Sequence, residues 1–221
     1  MMITERLRHY VFNLNFPARV GLLCGLAFLM GCASPQPSKV PSLPSGVALH
    51  RDKDIEGVWL AAGFDFKGYD ALYIAPPVFA AVERPNEVQM RAIALRVLPE
   101  QLTEHLRATT LFATVTANAE ELKPGTKSLR MENTILEYEK GGGAGRYFVG
   151  VFGGGQPVLK VRGKILDGDK LMCVYEMKRS GESAGSRVAG VWMSDEEIQW
   201  NDIRDLASDL SDFFKRTAQV P

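Results

Sequence analysis

The chain reads as an α/β domain, a two-layer sandwich in which a mostly antiparallel sheet is packed by two helices. Three observations predict it. A short apolar strand precedes a helical stripe, strands with alternating apolar residues follow, and an amphipathic helix closes the chain. A sheet with one apolar face must bury it, and two helices with apolar stripes supply the covering layer. Residues 48–221 would form this single domain. A domain of that size buries roughly 70% of the surface its unfolded chain exposes.

The first strand runs from Leu72 to Ala75 and stops at Pro76-Pro77, because proline cannot donate to a strand ladder. Val88, Leu95, Leu98, Leu102 and Leu106 then recur at helical spacing. Pro99 lies inside that stripe and predicts a kink or break near Val97. FATVTA, residues 112–117, reads as a second short strand. SLRMENTILEYEK, residues 128–140, alternates through Leu129, Met131 and Ile135 and reads as a long one.

PVLKVRGKILDGDKLMCVYEMKRS predicts a hairpin turning at Asp167-Gly168-Asp169. A three-residue loop sets Leu159 against Met177, Val161 against Tyr175, Gly163 against Cys173 and Ile165 against Leu171 on one face. Lys160 and Glu176 meet on the other. A two-residue loop would set Val161 against Glu176 and mix the faces, so the buried face selects the longer loop. Cys173 then points inward beside Gly163 as a small buried hydrophobe.

Ser194 and Glu197 form a capping box for the last helix. Asp195 and Glu196 suit its positive start, and Lys215 and Arg216 its negative end. Trp200, Ile203, Leu206, Leu210, Phe213 and Phe214 form its apolar stripe.

The N-terminus reads as a targeting segment. Arg6, Arg8 and Arg19 precede the apolar run VGLLCGLAFLMG, Val20 to Gly31. This run is shorter than the ~20 apolar residues of a spanning helix and suits a signal peptide. It ends in Leu29-Met30-Gly31-Cys32, which resembles the lipobox of bacterial lipoproteins. In that motif the Cys32 thiol takes the lipid, and small Gly31 lets the peptidase reach the bond. Residues 1–31 are therefore expected to be a lipoprotein signal peptide, and residues 32–47 a lipid anchor and tether. The residue after the cysteine is Ala33 rather than Asp, which by the same resemblance implies the periplasmic face of the outer membrane. ASPQPSKVPSLPSG, residues 33–46, is too rich in proline for a helix and suits an extended spacer.

Charge and cysteines narrow the partners. The formal net charge of the chain is +0, so nothing favours nucleic acid or anionic surfaces in general. Loss of residues 1–31 would remove three Arg and one Glu, leaving 23 basic and 25 acidic residues, a net of −2. Of Cys24, Cys32 and Cys173, the first leaves with the signal peptide and the second carries lipid. Cys173 then has no intramolecular partner, and no disulfide framework is expected.

Motifs for chemistry are sparse. The segment EKGGGAGRYFVGVFGGGQP, Glu139 to Pro157, lacks the G-x-G-x-x-G spacing of dinucleotide loops: Phe148, Arg146 and Val158 stand where the third glycine belongs. Gly163-Lys164 is followed by Ile165, so a Walker loop is absent too. No cofactor is expected. After removal of residues 1–31 only His50 and His105 remain, far apart in sequence, and no metal site is expected. No Ser or Cys sits in a nucleophile motif. Glu137 and Glu139 share a strand face ~7 Å apart, within reach of glycosidase chemistry but also ordinary for a solvated face. Trp59 and Trp192 could stack on a sugar ring or close a core edge. In the glycine segment, Tyr147, Phe148 and Val149 are expected to clasp the domain or, if exposed, to meet a partner.

Together the lipobox, the tether, GFDFKGYDALYIAPP, the acidic strand before a glycine segment and DIRDLASDLSDFFKR resemble a family of bacterial lipoproteins catalogued as domain of unknown function 4410. The resemblance implies an α/β domain on the periplasmic side of the outer membrane and supplies no catalytic residues. The expected role is a non-enzymatic binding or envelope-assembly module with an envelope protein partner. The alternatives are an oligomeric component of a secretion or channel complex, and a carbohydrate-active hydrolase using Glu137 and Glu139.

Overall fold

The computed structural model describes residues 42–80, 88–139, 158–180 and 194–219. They form seven strands: β1 Gly57–Leu60, β2 Ala71–Ile74, β3 Val78–Phe79, β4 Thr114–Thr116, β5 Ser128–Glu139, β6 Val158–Asp167 and β7 Lys170–Arg179. Two helices complete the set, α1 Val88–Arg107 and α2 Asp195–Gln219. The sheet order is β1-β7-β6-β5-β2-β4, with β3 also beside β5. The α/β class holds, and side chains of both helices share one apolar core with the sheet.

The expected mostly antiparallel sheet is corrected to a mixed one. β1–β7, β7–β6 and β6–β5 are antiparallel. β5–β2, β2–β4 and β5–β3 are parallel. The parallel half follows from connectivity. A parallel neighbour needs a crossover, and α1 is the crossover between β2 and β4. Pro76 and Pro77 interrupt a line that β3 resumes: β2 lies beside Ser128–Met131 and β3 beside Thr134–Ile135 of the same strand.

The β6–β7 hairpin keeps the expected faces except at Leu171, which stands opposite Leu166 on the other face, and it does not keep the expected register. The turn has two residues, with Asp167 opposite Lys170. Gly168 takes the first central position with φ +57°, the place where a II′ turn carries glycine. A bulge then leaves Met172 unpaired, so that Leu166 meets Leu171 and Ile165 meets Cys173. The extra residue restores the parity that the short turn would have lost. Cys173 therefore lies opposite Ile165, and Gly163 lies opposite Tyr175.

That pairing builds a lock across three strands. Asn133, Gly163 and Tyr175 stand in one row on β5, β6 and β7. The Tyr175 ring lies over Gly163, where any Cβ would overlap it. Its Oη donates to Asn133 Oδ1 at 2.6 Å. Tyr175 is 0% exposed, and burial holds its phenol well above the usual range.

Both helices depart from the expected stripes. α1 continues through Pro99, so of the kink or break expected near Val97 the break does not occur. Its buried apolar positions are Ala94, Val97, Leu98, Leu102 and Leu106, whereas Val88 is 51% and Leu95 40% exposed. In α2, Ile203, Leu206, Leu210, Phe213 and Phe214 face the core as expected, but Trp200 is 39% exposed and Gln199 is buried. The capping box forms: Glu197 N donates to Ser194 Oγ at 3.2 Å, and Ser194 N to Glu197 Oε2 at 2.8 Å. The Ser194 N–H bond and a second one from Ser194 Oγ to Glu197 Oε2, at 3.0 Å, hold the Glu197 carboxyl below its ordinary pKa.

Aromatic rings join the short 3-10 turn Phe66–Gly68 to the end of α2. Phe66 stacks on Phe214 with centroids 4.1 Å apart and meets Phe64 edge-on at 4.7 Å. Beside them Tyr69 Oη donates to Asp167 Oδ2 at 2.8 Å. Burial first, then the Asp167 bond and charge, push the Tyr69 phenol up to about 12. A raised folded-state pKa means stability is fully present below the unfolded value near 10 and is lost between about pH 10 and 12. Phenolate absorbance should show a tyrosine step near pH 12, ahead of fully buried Tyr175, and Tyr69→Phe should remove that step.

Candidate functional site

The outer edge of β1 carries a cleft. In β1 the backbone of alternate residues faces β7: Ala61, just past the strand, donates its N–H to Met172 O at 2.9 Å. Val58 and Leu60 therefore direct their backbone groups outward. Val58 exchanges both bonds with His50, at 2.9 and 2.8 Å. The chain then turns away through Gly63, φ +70°, with Phe64 N bonded to Ala61 O.

This turn, the β1 edge and the end of α2 enclose about 560 Å³. Leu60, Phe64 and Phe213 give it an apolar floor; His50, Asp65 and Arg216 stand among its polar lining. Asp65 Oδ1 accepts from Lys67 N at 2.9 Å and starts the 3-10 turn, which fixes the carboxylate in place. Arg216 reaches back to the start of the domain. Its Nη2 donates to Asp52 Oδ1 at 2.5 Å and its Nη1 to Asp54 Oδ2 at 2.8 Å. One fork thus ties the Asp52–Ile55 turn to the last helix, and charge-assisted bonds of this kind are the stronger class.

Two other hollows are present among the described residues. One of about 700 Å³ runs along the outer side of α1, between Arg96, Glu100, Thr103 and Ala117. Arg107 there donates to Val115 O at 2.7 Å and covers the short edge strand β4. The other, about 350 Å³, is polar and lined by Asp54, Arg179, Asp205, Ser208 and Asp209. Arg179 is ion-paired with Asp209. Among the described residues no group of three His, Cys, Asp or Glu is placed to hold a metal ion.

The residues singled out in the sequence are scattered. His50 lines the β1 cleft, and His105 is half-buried on α1. Glu137 pairs across from Lys160 and Glu139 across from Val158. Neither carboxylate lines any of the three hollows. Trp59 is half-buried opposite Val174. Cys173 is buried and its thiol is pushed up by desolvation. It should resist thiol reagents in the native protein and react when denaturant unfolds it, which a timed labelling assay would read. Cys32, Tyr147, Phe148, Val149 and Trp192 lie outside the described residues.

The cleft residues Leu60, Phe64, Phe213 and Arg216 were not singled out as a site. Their one local signal is the turn chemistry of Ala61-Ala62-Gly63. The rest come together only through pairing across most of the chain.

The model of the family described as "Domain of unknown function (DUF4410)" matches residues 61–191, more than half of the chain. The chain belongs to this family. The match to the DUF4410 family runs from the turn that forms one wall of the cleft through β7. β1 and α2 lie outside it. No curated protein matches the chain. Among solved structures, the PelC dodecamer from Paraburkholderia phytofirmans is similar at 14% identity and TM-score 0.43, covering 70% of this chain and 94% of that one. Protein XCC0632 from Xanthomonas campestris is similar at 12% identity and TM-score 0.40, covering 72% and 91%.

Proposed function

We propose that the chain is a lipoprotein held by Cys32 on the periplasmic face of the outer membrane, where its domain acts as a non-enzymatic binding or assembly module. The observation that carries the binding reading is the β1 cleft: an apolar floor beside backbone groups turned outward, with a charged rim. The anchor reading is supported by Leu29-Met30-Gly31-Cys32 at the end of an apolar run, and the outer-membrane reading by Ala33 after it. A chain with several acyl groups is stably anchored, unlike one with a single group.

Labelled palmitate should enter the wild-type chain and fail to enter Cys32→Ser; incorporation into the variant would sink the anchor. A photo-crosslinker placed at His50 in cells should capture one envelope protein reproducibly, and capture of none would sink the binding module.

Self-assembly is the second reading, favoured by the apolar side chains of Val88, Leu95 and Trp200 exposed on the helices. Sedimentation of the protein at micromolar concentration separates the two, since a clean monomer removes the oligomer.

A further inference from the structure

The β1 cleft can be assigned a class of ligand from the direction of its backbone and side chains; the assignment rests on the binding-module reading. Leu60 turns one N–H and one C=O away from β7, and neither has a bond among the described residues. Val58, two residues earlier on the same edge, has both groups taken by His50. The ladder that His50 begins therefore stops one step short of Leu60.

A strand laid antiparallel beside Leu60 would exchange both bonds with it, as a hydrogen-bonded pair does. The residue opposite Leu60 would project its side chain on the same face as Leu60. That face is the helical one, because Val58 has the same parity and lies in the core. The incoming side chain is thereby aimed at the floor formed by Phe64 and Phe213. The rim adds a sign. Asp52 and Asp65 stand against Arg216, whose guanidinium is already held by Asp52 and Asp54. The local balance favours a cation.

We propose that β1 receives an extended segment of a partner protein by strand addition at Leu60. An apolar side chain of that segment enters between Phe64 and Phe213, and a basic side chain two positions before it, on the side away from His50, meets Asp65. Main-chain bonds supply part of the affinity in this mode, and the alternate side chain supplies the selectivity.

The test uses the full-length chain in detergent micelles and the labelled peptide Thr-Lys-Thr-Leu-Thr-Lys-Thr, read by fluorescence anisotropy. The peptide should bind, and N-methylation at its leucine should weaken binding by about tenfold, the scale of one lost backbone bond. Leu60→Pro should weaken it similarly, since an edge strand accepts proline while losing the outward N–H. Asp65→Asn, which keeps the turn cap, should weaken it several-fold. Equal binding of the N-methylated peptide would overturn strand addition, because that arm needs no variant to fold. Absence of binding by the unmodified peptide would overturn it as well. If the peptides fail while crosslinking from His50 still captures an envelope protein, strand addition falls and the binding module stands.

Discussion

Gly163→Ala should destabilise the domain by about 3 kcal/mol, the upper range for forcing atoms into a filled core. The cause is a single row of the sheet. A methyl group at 163 would overlap the Tyr175 ring, which has no free space to retreat into because it is 0% exposed. Moving the ring would also break its bond to Asn133, whose Nδ2 has no partner among the described residues even in the intact protein. For a domain of this size a loss of about 3 kcal/mol lowers the thermal midpoint by roughly 6–12 °C. A double-mutant cycle with Tyr175→Ala checks the cause. The combined loss should fall short of the sum by about 1 kcal/mol or more, and strict additivity would show that the ring is not what the methyl strikes.

Phe214→Ala should cost about 3–5 kcal/mol, the usual range for emptying a buried aromatic position. Phe214 is 0% exposed and stacked on Phe66, with Phe112 and Phe213 edge-on around it. It joins α2 to the 3-10 turn beneath the β1 cleft, so the loss should open the cleft as well as weaken the core. Urea unfolding would read the first effect. Faster hydrogen exchange at Phe64 to Gly68 would read the second. A loss near 1 kcal/mol would mean that the cluster closes over the hole.

Local features were the most legible in the sequence. The α2 capping box needs only Ser194 and Glu197, four residues of contiguous chain, and both bonds form. The alternation of Leu129, Met131 and Ile135 likewise identifies β5 without its neighbours. Helix stripes were less certain at their ends, where a wide apolar band admits either of two adjacent residues: Gln199 is buried and Trp200 is not. Strand direction was not legible, because residues 71–74 read the same whether β5 runs with them or against them. The hairpin shows a subtler limit. Facing could be read from apolar parity, but parity is satisfied both by a three-residue turn and by a two-residue turn with a bulge at Met172. β1 escaped notice because GVWL is four residues long and too short for alternation. The cleft was illegible for the same reason at larger scale: His50, Phe64 and Arg216 meet only after the sheet closes.

The Arg216 fork has a consequence for the timing of folding. It joins residues 164 positions apart, and among the described residues β1 finds its only neighbouring full strand in β7. Its pairing with β7 must therefore wait until more than a hundred residues have emerged after it. The edge cleft takes part of its lining from Phe213, Arg216 and Thr217, so it can be completed only after the last helix has emerged. A chain cut short before Arg216 would lack the clasp that holds its own beginning.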